Sequence, residues 1–285
     1  MQRRHWYRYL VIALVLIGFL AAHEMMLMPD GHSTTVHFFD VGQGDSIFIT
    51  GPHGQQVLID GGPDLSALTK LGQSMPYFDR TIDWLVLTHP HLDHVASLPQ
   101  ILRRYNVGHV LISGAAYENG PYQEFLTLIT QQHIPVIIAV SMDDIDLGDG
   151  LTLDVLWPAP DYLGRTLKHI HDSCIMFKMQ FDGHSILFTG DAETSAEQSL
   201  IDAHTDLHAD ILKVGHHGSR TSTSSGFLLA VHPSLAVISV AKINTYGLPH
   251  PSIVRRIKHF GIPIMMTMSG AITVRMNEDA LRIQQ

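Results

Sequence analysis

The sequence is poor in cysteine, in basic residues and in charge overall. Its 285 residues include one cysteine, Cys174, so an intrachain disulfide is excluded. Charged residues make up 16% of the chain, and 18 lysines and arginines stand against 27 acidic residues, a formal net charge of -9. A protein that holds nucleic acid mainly through a basic face would have the opposite balance. The apolar content of 45% excludes general disorder.

Two further absences narrow the chemistry. The chain has no Gly-x-Ser-x-Gly elbow, and Cys174 falls inside a predicted strand, Cys174–Phe181, so catalysis by a nucleophilic side chain has no support. Histidine, by contrast, is abundant: its 20 copies outnumber all lysines and arginines together. Imidazole is the commonest metal ligand in proteins. Clusters of histidine are therefore candidate metal sites.

An apolar run lies near the start of the chain. Three arginines among the first eight residues precede the uncharged stretch Leu10–Ala22, which at 13 residues is short for a bilayer span. The pattern fits a cleaved signal peptide, whereas continuation of the run to Met28 would give an uncleaved membrane anchor; a buried core helix is the third interpretation. With either of the first two, the rest is exported to the periplasm or beyond, soluble or anchored. We predict a targeting segment over residues 1–30 and one domain over residues 31–285.

The exported part shows two strand–turn–strand units of the same plan. In the first, a strand at Val57–Ile59 leads to Asp60-Gly61-Gly62; in the second, a strand at Ser185–Phe188 leads to Thr189-Gly190-Asp191. Helix and strand patterns alternate between and after these units, including a helix predicted over Val95–Tyr105. Two similar halves of sheet plus helix predict an α/β fold, a four-layer sandwich with helices outside and two sheets inside.

The histidine-rich segment His89–His94 joins a predicted strand to a predicted helix. In the extended part, His89 and His91 point the same way and could hold one ion, whereas Asp93 and His94 begin the helix and could hold a second. Imidazole nitrogen and carboxylate oxygen both bind zinc. Three histidines and one aspartate within six positions at a strand-to-helix junction are a specific signal for a metal site.

These features resemble the metallo-β-lactamase superfamily, and within it the metallo-β-lactamase-like domain of ComEC-type competence (DNA-uptake) proteins. The resemblance runs from about residue 36 to the end. It is carried by six segments in the family's order: Phe39–Ser46, Leu58–Gly62, His89–His94, Phe188–Asp191, Lys213–Ser219 and Asn244–Gly247. The resemblance implies the four-layer fold and a dinuclear metal-dependent hydrolase.

Transferred residue by residue, the resemblance assigns most of the metal ligands. His89, His91 and Asp191 would hold the first metal, with Asp191 bridging to the second, which Asp93 and His94 would hold. Asp60 would brace the histidine loop by hydrogen bonds, although a plain turn aspartate is an equal alternative.

Two further ligands follow less directly from the resemblance. A histidine is expected shortly before the hairpin that leads to Asp191; His171 is the first candidate, His169 the second, and neither the third possibility. Relatives usually carry histidine where this chain has Leu248, which cannot bind metal. His250, two residues on, could take its place.

The segment His216–Arg220 is the predicted substrate-binding loop. His216 and His217 could complete a metal shell or donate hydrogen bonds to a phosphate, and Ser219 and Arg220 are further candidates for binding an anion, since guanidinium suits phosphate. Asp93 and His217 are the predicted catalytic residues.

The sequence therefore predicts an exported hydrolase with two divalent metal ions. Imidazole-rich ligation favours zinc, and the carboxylates also admit manganese. The leading substrate is a phosphodiester, with single-stranded DNA as one candidate, in connection with DNA uptake. Two alternatives stay open: hydrolysis of an amide, thioester or lactone bond, and a non-catalytic DNA-uptake accessory module with a degenerate metal site. No obligate protein partner is inferable; the membrane is a partner if the N-terminal segment is retained.

Overall fold

The computed structural model describes residues 3–141, 144–158 and 162–285, with side chains from Trp6 onward. The strands within these residues are β1 Thr34–Phe38, β2 Ile47–Thr50, β3 Gln56–Ile59, β4 Thr81–Leu87, β5 Asn106–Ile112, β6 Val136–Ile138, β7 Asp144–Asp146, β8 Thr152–Trp157, β9 Met176–Phe181, β10 His184–Phe188, β11 Ile211–Lys213, β12 Leu235–Ile238, β13 Ile264–Met266, β14 Ile272–Asn277 and β15 Ala280–Gln284. The α-helices are α1 Arg3–Leu27, α2 Ser66–Ser74, α3 Leu92–Val95, α4 Leu98–Leu102, α5 Gly120–Gln131, α6 Thr194–Asp202, α7 Ser225–Val231 and α8 Pro251–His259.

The predicted four-layer sandwich is confirmed. One sheet has the order β15-β14-β1-β2-β3-β4-β5-β6 and the other the order β13-β12-β11-β10-β9-β8-β7 within the described residues. In each sheet an antiparallel part meets a parallel part: β3 to β6 are parallel in the first, and β10 to β13 in the second. The two halves therefore repeat one plan, as the paired strand–turn–strand units indicate.

Three apolar layers hold the sandwich together. Between the sheets, Phe38, Phe177 and Phe188 stack with ring centroids 5.0 and 6.0 Å apart. A second layer packs α2 to α5 on the first sheet and a third packs α6 to α8 on the second. Because both faces of the central strands are covered, β3 and β11 are buried at every position.

The predicted helix over Val95–Tyr105 is wrong, since α3 and α4 replace it. The chain turns at Ser97, whose hydroxyl donates to the carbonyl of Gly61 at 2.6 Å. Pro99 follows, and its missing amide hydrogen cannot continue the hydrogen bonds of α3 but suits the first turn of α4. The break keeps the segment His89–His94 short and sharply turned.

The predicted strand Cys174–Phe181 begins two residues later than expected, at Met176. The amide of Cys174 donates to the carbonyl of His171 at 3.1 Å, which ends the 3₁₀ turn Ile170–Ser173. Cys174 therefore lies beside the strand ends and not within the sheet. The helix α2 and the β7–β8 hairpin are absent from the sequence-based prediction.

The helix α1 runs from Arg3 to Leu27, through the polar residues His23 and Glu24. Its stretch Trp6–Leu27 has 22 residues with a mean hydropathy of 2.3, long and apolar enough to cross a membrane. None of this stretch is buried within the protein, which excludes the buried-core interpretation. A signal sequence has the same length and composition, so both the choice between signal peptide and anchor and the boundary at residue 30 stay predictions.

Candidate metal centre

The carboxyl ends of four strands meet at one edge of the sandwich. Asp60 follows β3, His89–His94 follow β4, Asp191 follows β10, and His216-His217 follow β11. Because β3 and β4 are parallel, as are β10 and β11, each pair of strands ends at the same edge of its sheet. The two sheets face each other, so residues more than 100 positions apart in sequence enter one site.

The first group of possible ligands consists of His89, His91 and His171, whose ring nitrogens lie within 4.8 Å of one another. The Nε2 of His171 lies 3.1 Å from the Nδ1 of His91. His171 reaches the group from the 3₁₀ turn that precedes β9. His169, the alternative candidate, is exposed at the start of that turn and is not in the group.

The second group consists of Asp93, His94, Asp191 and His217. The Nε2 of His217 lies 3.2 Å from an oxygen of Asp93 and 3.4 Å from Asp191 Oδ2. The sequence predicts His217 as a catalytic and substrate-binding residue and leaves open that it completes a metal shell. Its side chain is 1% exposed and its ring nitrogen is among the possible metal ligands, which favours the metal shell.

One oxygen of Asp191 lies close to ring nitrogens of both groups. Asp191 Oδ2 lies 3.8 Å from the Nε2 of His89 and 3.4 Å from the Nε2 of His94, so it reaches both groups. The amide of Asp191 donates to the sulfur of Cys174 at 3.0 Å. At Gly190, whose φ is +48°, a Cβ would approach that sulfur to 2.5 Å, so only glycine allows this turn.

Asp60 holds two parts of the histidine segment. Its Oδ1 accepts from the amide of Thr88 at 2.8 Å, and its Oδ2 accepts from the Thr88 hydroxyl at 2.7 Å and lies 2.8 Å from the Nδ1 of His94. Burial raises the pKa of Asp60, with His94 opposing the rise. A proton on Nδ1 of His94 directs the other nitrogen, Nε2, toward the centre.

The backbone at His216 and His217 is left-handed, with φ of 48° and 52°. Such conformations are costly for residues other than glycine and cluster at functional sites. The amide of His216 donates to Gly190 at 3.1 Å, and the Nδ1 of His217 lies 2.9 Å from the carbonyl of Ser239, to which it donates. These bonds turn the Nε2 of His217 toward Asp93 and Asp191.

The imidazoles of the first group favour the neutral form. Burial lowers the pKa of His89 well below its ordinary value, that of His91 to about 4, and that of His171. Neutral rings carry a free lone pair on one nitrogen, the form that binds metal.

The imidazoles of the second group behave in the opposite way. Burial opposes their protonation, but Asp191 and its neighbouring carboxylates raise the pKa of His94 well above its ordinary value and that of His217 to about 10. Burial would also raise the pKa of Asp93, yet His94 and His217 lower it to about 2. The carboxylates of this group thus stabilise positive charge, whether it is carried by protonated imidazole or by a cation.

The donor set fits two divalent cations. The buried side-chain atoms without a hydrogen-bond partner include four from the possible ligands: Nε2 of His89, His94 and His217, and Oδ1 of Asp191. A buried polar atom without a partner costs about 1–3 kcal/mol, and these four belong to the two groups above. Metal ligation would satisfy them. Cys174 is not in either group, and burial raises the pKa of its thiol, so it stays a neutral neighbour.

Besides Asp60 and His216, three sequence-predicted residues lie apart from both groups. His250 caps α8, where its Nδ1 accepts from the amide of Ser252 at 3.3 Å, and it is not among the grouped ligands. Ser219 has its hydroxyl 2.9 Å from that of Thr221, and Arg220 is exposed on the same loop. The substrate contacts of Ser219 and Arg220 stay predictions, as does the metal ligation expected of His250.

Glu193 and the Asp45–Lys213 ion pair were missed by the sequence reasoning. Oε1 of Glu193 lies 3.5 Å from His171 Nδ1 and 3.2 Å from His216 Nδ1. Lys213 is wholly buried, pairs with Asp45 and donates to the carbonyl of Gly190 at 3.0 Å. The signal available in sequence was a lysine inside a strand that is otherwise apolar.

The sequence comparisons agree with this architecture. ComE operon protein 3 of Bacillus subtilis is 30% identical over 259 residues, 84% of this chain and 33% of its own length. Competence protein ComA of Neisseria gonorrhoeae is 28% identical over 279 residues, 95% of this chain and 36% of its own. Endoribonuclease ysh1 of Schizosaccharomyces pombe is 25% identical over 199 residues, 60% and 24% respectively. The chain therefore spans about a third of the length of the first two relatives.

A solved structure and a family model complete the comparison. The metallo-β-lactamase fold protein YhfI from Bacillus subtilis superposes with a TM-score of 0.56 at 12% identity, covering 88% of this chain and 100% of that one. The model of the metallo-β-lactamase superfamily matches residues 39–242. The resemblance stated from the motifs is thus confirmed, and the chain belongs to the metallo-β-lactamase superfamily.

Proposed function

We propose that this protein is an exported, dinuclear metal-dependent phosphodiesterase that acts on nucleic acid, with single-stranded DNA as the candidate substrate. The observation that carries the proposal is the position of Asp191 Oδ2, within 3.4–3.8 Å of ring nitrogens from both ligand groups. A carboxylate in that position can be shared by two cations. Two-metal centres of this kind are typical of phosphoester hydrolysis.

The residues divide the work at the centre. His89, His91 and His171 would hold one cation and Asp93, His94 and His217 the other, and Asp191 lies within reach of both groups. When bound, two divalent cations polarise a phosphoryl oxygen and lower the pKa of water to near neutrality. Asp60 and the carbonyl of Ser239 fix the tautomers of His94 and His217, so the ligating nitrogens do not have to reorient.

The relatives favour a phosphodiester over other bonds, and the donor set and the net charge are compatible with it. The relatives include an endoribonuclease and a competence protein. The donor set of imidazoles and carboxylates suits zinc, and also manganese, both of which serve phosphoryl chemistry. The net charge of -9 does not oppose an anionic substrate, because distant charges are screened beyond about 8 Å whereas the cations act at the reacting centre.

A paired hydrolysis assay tests the proposal. Bis(p-nitrophenyl) phosphate and nitrocefin are offered to the metal-loaded chain, to Asp93→Ala and to Asp202→Ala, an exposed carboxylate on α6 that serves as control. We expect the phosphodiester alone to be cleaved, by wild type and Asp202→Ala. Nitrocefin cleavage would indicate amide chemistry instead, and turnover of neither substrate would support a non-catalytic accessory module.

Metal analysis of the same preparations provides a second readout. The proposal requires two tightly held equivalents in wild type, with zinc compared against manganese for both content and turnover.

We also propose that α1 is retained as a membrane anchor, since its 22-residue apolar stretch spans about 33 Å as a helix, the thickness of a bilayer core.

A further inference from the structure

Exposed aromatic side chains lie beside the last turn of α1. Phe78 is 90% exposed and Tyr77 is 65% exposed, with ring centroids 5.0 Å apart. They occupy the connection between α2 and β4. Large aromatic side chains in such numbers at one exposed point are unusual for a surface that faces only water.

A hydrogen bond fixes these aromatics at the level where α1 ends. The amide of Tyr77 donates to Oε2 of Glu24 at 2.7 Å, and Glu24 lies one turn before the end of the helix at Leu27. Met25 and Met26, in the same turn, are 73% and 84% exposed. The apolar side chains of the helix end and of the loop therefore lie side by side.

Basic side chains accompany this apolar surface. The Arg80 guanidinium lies 5.8 Å from the ring centroid of Tyr77 and is exposed. A cavity of about 580 Å³ next to the helix end is lined by Met26, Leu27, Arg275 and Arg282, among others. Aromatic rings with arginines beside them are the composition found where proteins meet the headgroup layer of a membrane.

We propose that the face formed by Tyr77, Phe78, Arg80 and the last turn of α1, here called the exit face, rests on the phospholipid surface where α1 leaves the bilayer. This inference rests on the anchoring by α1 that is part of the proposed function. The aromatic rings enter the headgroup region, and the guanidinium of Arg80 lies near lipid phosphates.

The exit face and the metal centre lie at opposite ends of β4. The strand β4 begins at Thr81, directly after this face, and ends at Leu87, two residues before His89. Seven residues of strand span about 23 Å. The metal centre therefore lies at the far end of β4, about a strand's length from the exit face.

Fluorescence quenching in bilayers tests the exit face. The full chain carrying Trp6→Phe is reconstituted into vesicles of phosphatidylcholine and phosphatidylglycerol, with or without lipid brominated near the headgroup. Into this background we introduce Phe78→Trp, Tyr77→Trp or, as matched control, Ile243→Trp. Ile243 is 91% exposed on a loop beside the metal centre, and the hydrogen bond from His250 to Gly218, next to His217, holds that loop there. Emission from Trp84 and Trp157 is common to all the chains and is subtracted.

We expect brominated lipid to remove about half of the emission added by Phe78→Trp or Tyr77→Trp, and to leave that of Ile243→Trp unchanged. Unchanged emission at Phe78→Trp and Tyr77→Trp, or equal quenching at Ile243→Trp, would overturn the inference. Flotation of the vesicles reports anchoring by α1 separately, and a chain that does not float would overturn it as well. Hydrolysis of bis(p-nitrophenyl) phosphate, measured in parallel, keeps failure of the phosphodiesterase proposal distinguishable from both.

Discussion

The imidazoles of the two groups of possible ligands differ in the direction in which their pKa values are shifted. The first group contains three imidazoles, and burial holds their pKa values low. The second contains two imidazoles and two carboxylates, and the carboxylates raise the pKa of both rings. Burial is nearly complete for His89, His94 and His217 alike. Charge composition, and not depth in the protein, therefore separates the two groups.

This contrast has a consequence for metal binding. A cation entering the first group meets neutral rings, whereas a cation entering the second must displace protons from His94 and His217. The second group also offers more negative charge, which favours the cation once the protons have left. The two metal positions are thus expected to differ in pH dependence while sharing Asp191.

Removing the shared ligand should have the largest effect. In Asp191→Ala both groups lose the oxygen between them, so we expect loss of both metal equivalents and a fall in turnover of more than about 100-fold, beyond what an indirect partner of a ligand contributes. Metal analysis and the phosphodiester assay measure both. Asp202→Ala should match wild type, and retention of either metal by Asp191→Ala would contradict a shared role.

Single-group variants sharpen the comparison. We expect His91→Ala to lose the metal of the first group and Asp93→Ala that of the second, each keeping one equivalent, because their ligands are separate apart from Asp191. Metal content after dialysis against a weak chelator gives the stoichiometry. Loss of both equivalents in either variant would show that the groups bind as one unit.

The same variants separate the pH dependences. His217 has a pKa of about 10 without metal, so at pH 7 the ring is protonated and must release its proton when a cation binds. Affinity at the second group, read in His91→Ala, should therefore rise about tenfold per pH unit below pH 10 for each proton displaced. In Asp93→Ala the first group should show little dependence above the pKa of His91, which is about 4.

Calorimetry in buffers of different ionisation enthalpy counts these protons directly. We expect at least one proton released per cation at the second group at pH 7, and close to none at the first. Equal release in His91→Ala and Asp93→Ala would remove the distinction between the groups.

A smaller loss of metal affinity, confined to the second group, is expected on substitution of Asp60. Asp60→Asn replaces one acceptor oxygen by a donor, so the carboxylate's bonds to Thr88 and to His94 cannot all be kept. Loss of such an orienting partner weakens metal binding about 10- to 100-fold, here at the second group. Asp64→Asn, an exposed turn aspartate, is the matched control. Equal weakening at the first group would mean general unfolding of the loop.

The smallest effect is expected at His250. His250→Ala removes a helix-capping acceptor of α8 and should cost about 1 kcal/mol or less of unfolding free energy. Both metal equivalents should remain, in contrast to the ligand variants. Thermal denaturation and metal analysis check the two statements, and loss of one equivalent would return His250 to the ligand set.

Local sequence was informative where ligands are close in the chain. In the segment His89–His94 the spacing is fixed by one strand end and one helix start. The sequence therefore predicts that His89 and His91 form one pair and that Asp93 and His94 form another. The structure places these two pairs in separate groups of possible ligands. His217 and His250 were harder. Both follow a strand or turn in a histidine-containing loop, and the choice between them depends on the left-handed turn at His216-His217, which has no signature in composition.

Backbone breaks show the same limit. The apolar pattern of Val95–Tyr105 has the period of a helix, but the contact of Ser97 with Gly61 and the position of Pro99 divide it. That contact joins segments far apart in sequence. The buried pair of Asp45 and Lys213 is likewise invisible until β11 and the loop before β2 are brought together.

The sequence by itself determined the family, through the order of its motifs, and the two-sheet sandwich. It also determined which candidate ligands stand within one turn of each other, because periodicity and short spacing act through neighbouring residues. Tertiary structure alone decided that His217 joins Asp93 and Asp191, that His250 caps a helix, and that the two groups differ in charge. Those properties depend on distances of 3–4 Å between side chains from different sheets, and such distances exist only once the sheets have packed.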